Sequence, residues 1–151
     1  MYNHRKTFTR ELFNKHDDVA KLVVSSLVKQ QGYTIVDTKE AYGSHDFIME
    51  KNGVSYKVEV EQKTGWTTKR FPFKTLSVSH RKCTSRADIF FEVNASGSAV
   101  LMCPMAVVLS SPVIRKNTKL GTIQEPFYDV PFFVLRSFDV EDGVWFEDIN
   151  S

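Results

Sequence analysis

Asp46, Glu59, Glu61 and Lys63 are the residues of this chain whose types and spacing best suit chemistry. They lie in two neighbouring stretches, "HDFIMEKNG" and "YKVEVEQKTGW". In the second stretch charged and apolar side chains alternate, and a period of two places Glu59, Glu61 and Lys63 on one face of a strand. Carboxylates gathered in this way repel one another unless a cation lies among them or water screens them. Magnesium prefers carboxylate oxygens and water, and typically takes only one or two protein carboxylates. Beside a phosphodiester it polarises a phosphoryl oxygen and makes a water more acidic. A lysine on the same side can orient the attacking water or offset charge developing on the phosphate. The competing explanation is an antiparallel hairpin with one solvated face, which gives the same alternation and does no chemistry.

The elements that must position these groups follow from periodicity. From about Thr9 to Gln31, Val19, Leu22, Val23, Leu27 and Val28 recur at helical spacing, and Gly32 stands where a left-handed terminating residue belongs, followed by Tyr33 as its apolar partner. "YTIVDT" then reads as a strand, and "HDFIMEKNGVSYKVEVEQK" as a hairpin about Asn52-Gly53, a favoured two-residue turn. That turn fixes a register in which Lys51 faces Val54 and Asp46 faces Glu59. Opposed Cβ atoms are roughly 5 Å apart and diagonal ones roughly 7 to 8 Å, so Asp46 and both glutamates can approach one ion. A slip of one residue would send Asp46 to the valine face. Further along, "TLSVSH", "ADIFFEV" and "SAVLMCP" read as strands, the last two paired across 94–97, and "MAVVLSS" as a short helix. Residues 112–151 are rich in proline and glycine and suggest irregular structure with strands at "PFFVLRSF" and "GVWFED". A helix leading into strands without regular alternation predicts an α/β or α+β fold with a mixed sheet.

At 151 residues the chain suits one domain. Its formal net charge of +2 conceals a local excess of bases. Lys63, Lys69, Arg70, Lys74, Arg81, Lys82 and Arg86 occur with no acid among them, and this block points to an anionic partner, nucleic acid first. Lys69, Arg70, Lys74, Arg81, Lys82 and Arg86 are candidates for phosphate contact, the usual role of such clusters. Trp66 and Phe71 lie among them and are candidates for stacking on bases. His16, Asp17 and Asp18 could ligate a metal, although acids at a helix N-terminus already complement its dipole. Ser44, His45 and Asp46 are adjacent on an extended chain and so cannot form a catalytic triad. The two cysteines, Cys83 and Cys103, stand apart without clustered histidines, which argues against zinc and against a disulfide framework. With no apolar run of membrane length and a charged N-terminal stretch, the expectation is a cytoplasmic protein without membrane partners or an organic cofactor.

The ordered series of a helix ending "KQQGY", a strand, "GSHD", a hairpin and "VEVEQKTGW" resembles the PD-(D/E)XK nuclease superfamily. That is the restriction-endonuclease-like fold, and the likeness is to its Holliday-junction-resolvase-like branch. "SRADIFFEVNASGSAVLMCP" resembles the later strand pair of these enzymes, so the likeness covers a core of about 9–105, with 106–151 as an elaboration. The resemblance implies an α/β core in which an N-terminal helix precedes a mixed sheet with flanking helices. It implies a Mg²⁺-dependent DNA endonuclease, with Mn²⁺ able to substitute, acting on structured DNA of the junction or repair type. Asp46, Glu61 and Lys63 match the motif as catalytic residues, with Asp46 and Glu61, the Gln62 main-chain carbonyl and Glu59 as metal ligands. Asp17, Asp18 and Glu11 are candidates for a further helix acid, and a homodimer is implied. His45 stands where a proline is common, and Glu59-Val60-Glu61 offers a second phasing without the lysine, so Glu59 and Glu61 both remain candidates for the main ligand. A nucleic-acid-binding module without catalysis, or an interaction protein with a solvated hairpin face, are the alternatives.

Overall fold

The computed structural model describes residues 19–36, 46–85, 87–117 and 124–148. The predicted helix acids Glu11, Asp17 and Asp18, together with His16, Ser44, His45 and Arg86, lie outside these residues, as does the predicted helix before residue 19.

Residues 19–30 form helix α1. It ends as its sequence predicts: Gly32 has φ +95°, and the Gly32 and Tyr33 amides donate to the carbonyls of Lys29 and Val28. This pair of bonds satisfies carbonyls that the helix end leaves open. The buried face differs from the predicted one. Ala20, Val24, Leu27 and Val28 are buried, whereas Leu22 is 70% exposed and Val19 is exposed too. The small Ala20 lets the helix approach the sheet, and apolar spacing alone could not distinguish its row from that of Val19 and Leu22.

The strands are β1 (Thr34–Val36), β2 (Phe47–Lys51), β3 (Val54–Gln62), β4 (Thr75–Ser79), β5 (Ile89–Val93), β6 (Ala99–Pro104), β7 (Val113–Asn117), β8 (Gln124–Pro131), β9 (Arg136–Glu141) and β10 (Val144–Glu147). Seven form a mixed sheet in the order β1-β2-β3-β5-β6-β9-β10, and three form a second sheet in the order β4-β8-β7. β3 and β5 are parallel, and the other pairings are antiparallel. The β2–β3 hairpin has the predicted register, with Lys51 opposite Val54 and Phe47 opposite Val58. Asn52 and Gly53 both have positive φ, the geometry that matches the twist of the flanking strands. The pairing of β5 with β6 likewise follows the predicted turn, Val93 facing Val100.

Two apolar clusters hold the large sheet from opposite sides. Phe47, Met49, Val58, Val60, Phe91, Val93 and Val100 pack under α1. Phe90, Leu101 and Cys103 pack on the other side with Trp66, Leu76, Val78 and Val130, and with Met105 and Val108 of the short helix α2 (Met105–Leu109). The expectation of flanking helices is therefore corrected. Among the described residues the second side is covered by a small sheet and α2, because Thr75–Ser79 alternates in period two, burying Leu76 and Val78, and supplies a strand.

Residues 112–151 are more regular than their prolines suggested. Pro126 and Pro131 lie within β8, opposite Arg115 and Thr75. Proline lacks the N–H that a ladder needs, so such positions must be ones where no bond is drawn from it. Residues Phe132–Val134 of the predicted strand "PFFVLRSF" form a 3₁₀ turn, and β9 begins only at Arg136.

Candidate active site

β3 carries the site, and its two faces divide as the alternation requires. Val58 and Val60 point to the α1 side, while Glu59 and Glu61 belong to the side covered by the second sheet. That side is not wet at Glu59, which is buried, and Glu92 on the adjacent strand is 0% exposed. The parallel register of β3 and β5 puts Glu61 directly beside Glu92. A solvated hairpin face therefore does not explain these charges, since burying a carboxylate is costly unless it is compensated.

Asp46 sits at the mouth of the hairpin, where its amide donates to the Val58 carbonyl at 2.8 Å. One carboxylate oxygen accepts the Val60 amide at 2.7 Å, and the other lies 3.5 Å from the Lys21 ammonium of α1. These contacts fix the Asp46 side chain against β3 one residue from Glu59. The Lys82 ammonium, carried by the 3₁₀ segment His80–Ser85, lies 3.4 Å from Glu59 Oε2. Burial works against its charge, but the Glu59, Glu61 and Asp46 carboxylates together outweigh burial and raise the Lys82 pKa above that of an ordinary lysine. Glu59 is thus in contact with the Lys82 ammonium, while Glu61 and Asp46 act on it through their fields and Asp46 makes its own ion pair with Lys21.

Glu92 is the residue that sequence reasoning missed. Apart from the Glu61 carboxylate beside it, its buried carboxyl oxygens have no hydrogen-bond partner among the described residues. Burial first, and then the Glu61 carboxylate, push its pKa well above the usual carboxylate value, with Lys63 and Lys82 pulling the other way. Glu92 was concealed inside "IFFEV", an apolar stretch in which a single acid is the only signal.

Lys63 follows β3, its amide bound to the Val93 carbonyl at 2.8 Å. Its ammonium lies 5.6 Å from the centre of the Phe73 ring. Gln62 points its side-chain amide at the carbonyls of Asn94 and Ala95, while its Oε1 is buried without a partner among the described residues. Asn94 braces the same corner: its Oδ1 accepts the Ser98 and Ala99 amides, and its Nδ2 donates to the Thr68 carbonyl. The turn bearing Lys63 is therefore held to the β5–β6 turn.

The basic block does not act as one surface. Lys69 bonds the Val140 carbonyl and pairs with Glu141, Arg81 pairs with Glu125, and Lys82 belongs to the acid cluster. Arg70 and Lys74 are exposed. Trp66 is corrected as a stacking residue: its ring is 0% exposed, its Nε1 donates to the Arg70 carbonyl, and Phe71 packs edge-on against it at 5.1 Å. It anchors the block to the core instead.

Among the described residues no three His, Cys, Asp or Glu side chains close into a set that could hold a metal ion. The acids are met by cations separately, Glu59 by the Lys82 ammonium at 3.4 Å and Asp46 by the Lys21 ammonium at 3.5 Å. Cys83 and Cys103 are free thiols, each pushed up to about 11 by burial. No described helix is long and apolar enough to cross a membrane. In comparisons with known proteins, no family model, curated protein or solved structure matches this chain.

Proposed function

We propose that this protein is a metal-dependent nuclease that hydrolyses phosphodiester bonds in DNA, with its centre at Asp46, Glu59 and Glu61. The buried pairing of Glu59 with the Lys82 ammonium, within the fields of Glu61 and Asp46, carries the reading. It is supported by the sequence of elements, in which a helix, a strand and a hairpin lead to a later strand pair beside β3. The restriction-endonuclease-like core belongs to the same proposal.

Asp46 and Glu61 would hold Mg²⁺ or Mn²⁺, with Glu59 and the Gln62 carbonyl in support. The ion supplies Lewis-acid polarisation of the phosphate and a more acidic water. Lys82 balances the acids in the resting protein and is already paired with Glu59. Lys63 is placed on the same side of β3, next to the exposed surface, where it can neutralise charge developing on a phosphate. Asp46 owes its position to Val60 and Lys21, so its orientation does not depend on substrate.

One observation favours a second reading. Asp46, Glu59 and Lys82 already satisfy one another's charges or those of neighbours, as they would in a non-catalytic nucleic-acid-binding module. The two are separated by incubating single-stranded, duplex, flapped and four-way DNA with Mg²⁺ or Mn²⁺. The nuclease reading expects cleavage that falls about a hundredfold or more in Asp46→Asn, Glu61→Gln and Lys63→Ala. The binding module expects no cleavage and salt-sensitive binding that survives Asp46→Ala. Wild-type cleavage rates in both Asp46→Asn and Lys63→Ala would sink the proposed centre.

A further inference from the structure

We propose that the exposed rings of Phe73 and Phe133, with exposed Arg70 and Lys74 near Phe73 in the chain, form a stacking platform for the unpaired bases of a single-stranded nucleic acid. In "WTTKRFPFK" the aromatic residues take opposite fates. Trp66 and Phe71 turn into the core, whereas Phe73 remains 45% exposed. Phe73 stands edge-on to Phe71 at 5.3 Å, and Phe71 lies parallel to Phe132 at 5.7 Å with 4° between the planes. The Phe132 amide donates to the Lys74 carbonyl at 3.1 Å, which fastens the 3₁₀ turn to this segment. The next residue, Phe133, projects 84% exposed, with Val134 exposed after it. Phe73 and the turn that bears Phe133 are thus backed by the buried pair Phe71 and Trp66. A rigid aromatic surface loses little freedom when it binds.

The charges near Phe73 in the chain select the occupant. Arg70 and Lys74 are exposed and have no ion pair among the described residues, unlike Lys69, Arg81 and Lys82. Aromatic faces between basic side chains match a single strand, whose bases are free to stack and whose phosphates follow the cations. A duplex keeps its bases stacked internally and has no use for the rings. A cleft of about 320 Å³ bordered by Arg70, Phe71 and Phe132 also contains Asp139 and Asp148, so the phosphates follow the Arg70 and Lys74 side and stay clear of these acids. Lys63 joins this surface to the acid cluster, because its ammonium lies over the Phe73 ring on one side and acts on Glu92 on the other. A strand stacked on Phe73 is thereby led to the β3 carboxylates. This last step rests on the nuclease reading, while the platform itself does not.

The test is fluorescence anisotropy with labelled oligothymidylate, oligouridylate of the same length and a matched duplex, in EDTA so that cleavage does not intervene. Wild type is expected to bind either single strand at least tenfold more tightly than the duplex. Phe133→Ala and Phe73→Ala are each expected to weaken single-strand binding by about fivefold to a hundredfold, the range for loss of one stacked base. Phe133 is so exposed that its removal leaves the fold intact, which keeps the outcome interpretable if Phe73→Ala is destabilised. Lys74→Ala is expected to lower the slope of log affinity against log salt by about 0.7, the share of one phosphate contact on a single strand. Equal affinity for duplex and single strand, or unchanged binding in Phe133→Ala, overturns the platform. Binding without cleavage on adding Mn²⁺ removes the nuclease reading and leaves the platform. Cleavage with binding indifferent to Phe133 does the reverse.

Discussion

Replacing Glu92 by glutamine should change how stability depends on pH, and the size of the change follows from where Glu92 sits. The side chain is fully buried and, apart from the Glu61 carboxylate beside it, has no hydrogen-bond partner among the described residues. Its ordinary pKa of 4.5 is raised well above that value in the fold, by burial and then by Glu61. A carboxyl with a raised folded pKa favours the folded state in its protonated form. Its contribution is complete below the unfolded value and is lost as pH rises toward the folded one. Within that window each pH unit costs about 1.4 kcal/mol of stability. For a chain of this length that corresponds to a fall in Tm of about 3 to 6 °C per pH unit.

Glutamine keeps the shape, carries no titrating proton, and can donate its amide to the Glu61 carboxylate. The variant should therefore gain on wild type steadily as pH rises from 4.5, in EDTA so that no cation compensates the acids. Urea denaturation followed by tryptophan fluorescence, at half-unit intervals of pH, gives the two stability curves. Other groups titrate in both proteins, so the difference between the curves is the quantity to read. Curves that run parallel above pH 5 would refute the reasoning, for they would mean that Glu92 ionises in the fold as easily as in the unfolded chain.

Leu27→Ala should lose about 2 to 5 kcal/mol in the same denaturation assay because Leu27 is buried against the sheet, whereas Leu22→Gln should stay within about 0.5 kcal/mol. Gly53→Ala should cost about 1 to 2 kcal/mol, since φ +78° is strained for a residue with a Cβ, and the amide exchange pattern should show an unchanged β2–β3 register. Trp66→Ala should cost about 3 to 5 kcal/mol and make the segment from Thr67 to Lys74 open to proteolysis, because the ring and its bond to Arg70 tie that segment down. Lys82→Met should weaken folding at neutral pH, where it removes the ammonium 3.4 Å from the buried Glu59, and divalent cation should restore part of the loss in a thermal melt.

Short-range features of the fold were legible in the sequence. Gly32 after an apolar helix, Asn52-Gly53 between alternating strands and the turn after Val93 each encode local geometry, and each appears where it was read. Asp142-Gly143 carries the same signal, with φ 51° and 78°, and joins β9 to β10. What periodicity could not supply was the partner of each face. The row of Ala20 and Val24 was buried in place of Val19 and Leu22, because burial is decided by the sheet and not by the helix. β7 and β8 were read as irregular because prolines in β8 conceal a strand whose pairing partners lie far away in sequence.

The candidate site divides along the same line. Asp46 is brought to β3 beside Glu59 through a turn of two residues, its amide bound to Val58 and its carboxylate to the Val60 amide, so local sequence sets them near each other. Lys82 and Glu92 reach the same place through the parallel crossover from β3 to β5, and no local rule predicts which residue of a crossover returns to its start. That is why Lys82 was read with the phosphate-contacting bases and Glu92 was not read at all. Their positions alter the meaning of the hairpin charges. On a wet face, Glu59 and Glu61 would require no partner and would have no effect on the chain's stability. Beneath a second layer, beside the buried Glu92, they require a positive charge, and the fold supplies an ammonium 3.4 Å from Glu59. Acids that must be neutralised from within the protein can exchange that ammonium for another cation, and this requirement, more than the spacing of the motif, is what makes the cluster a candidate for chemistry.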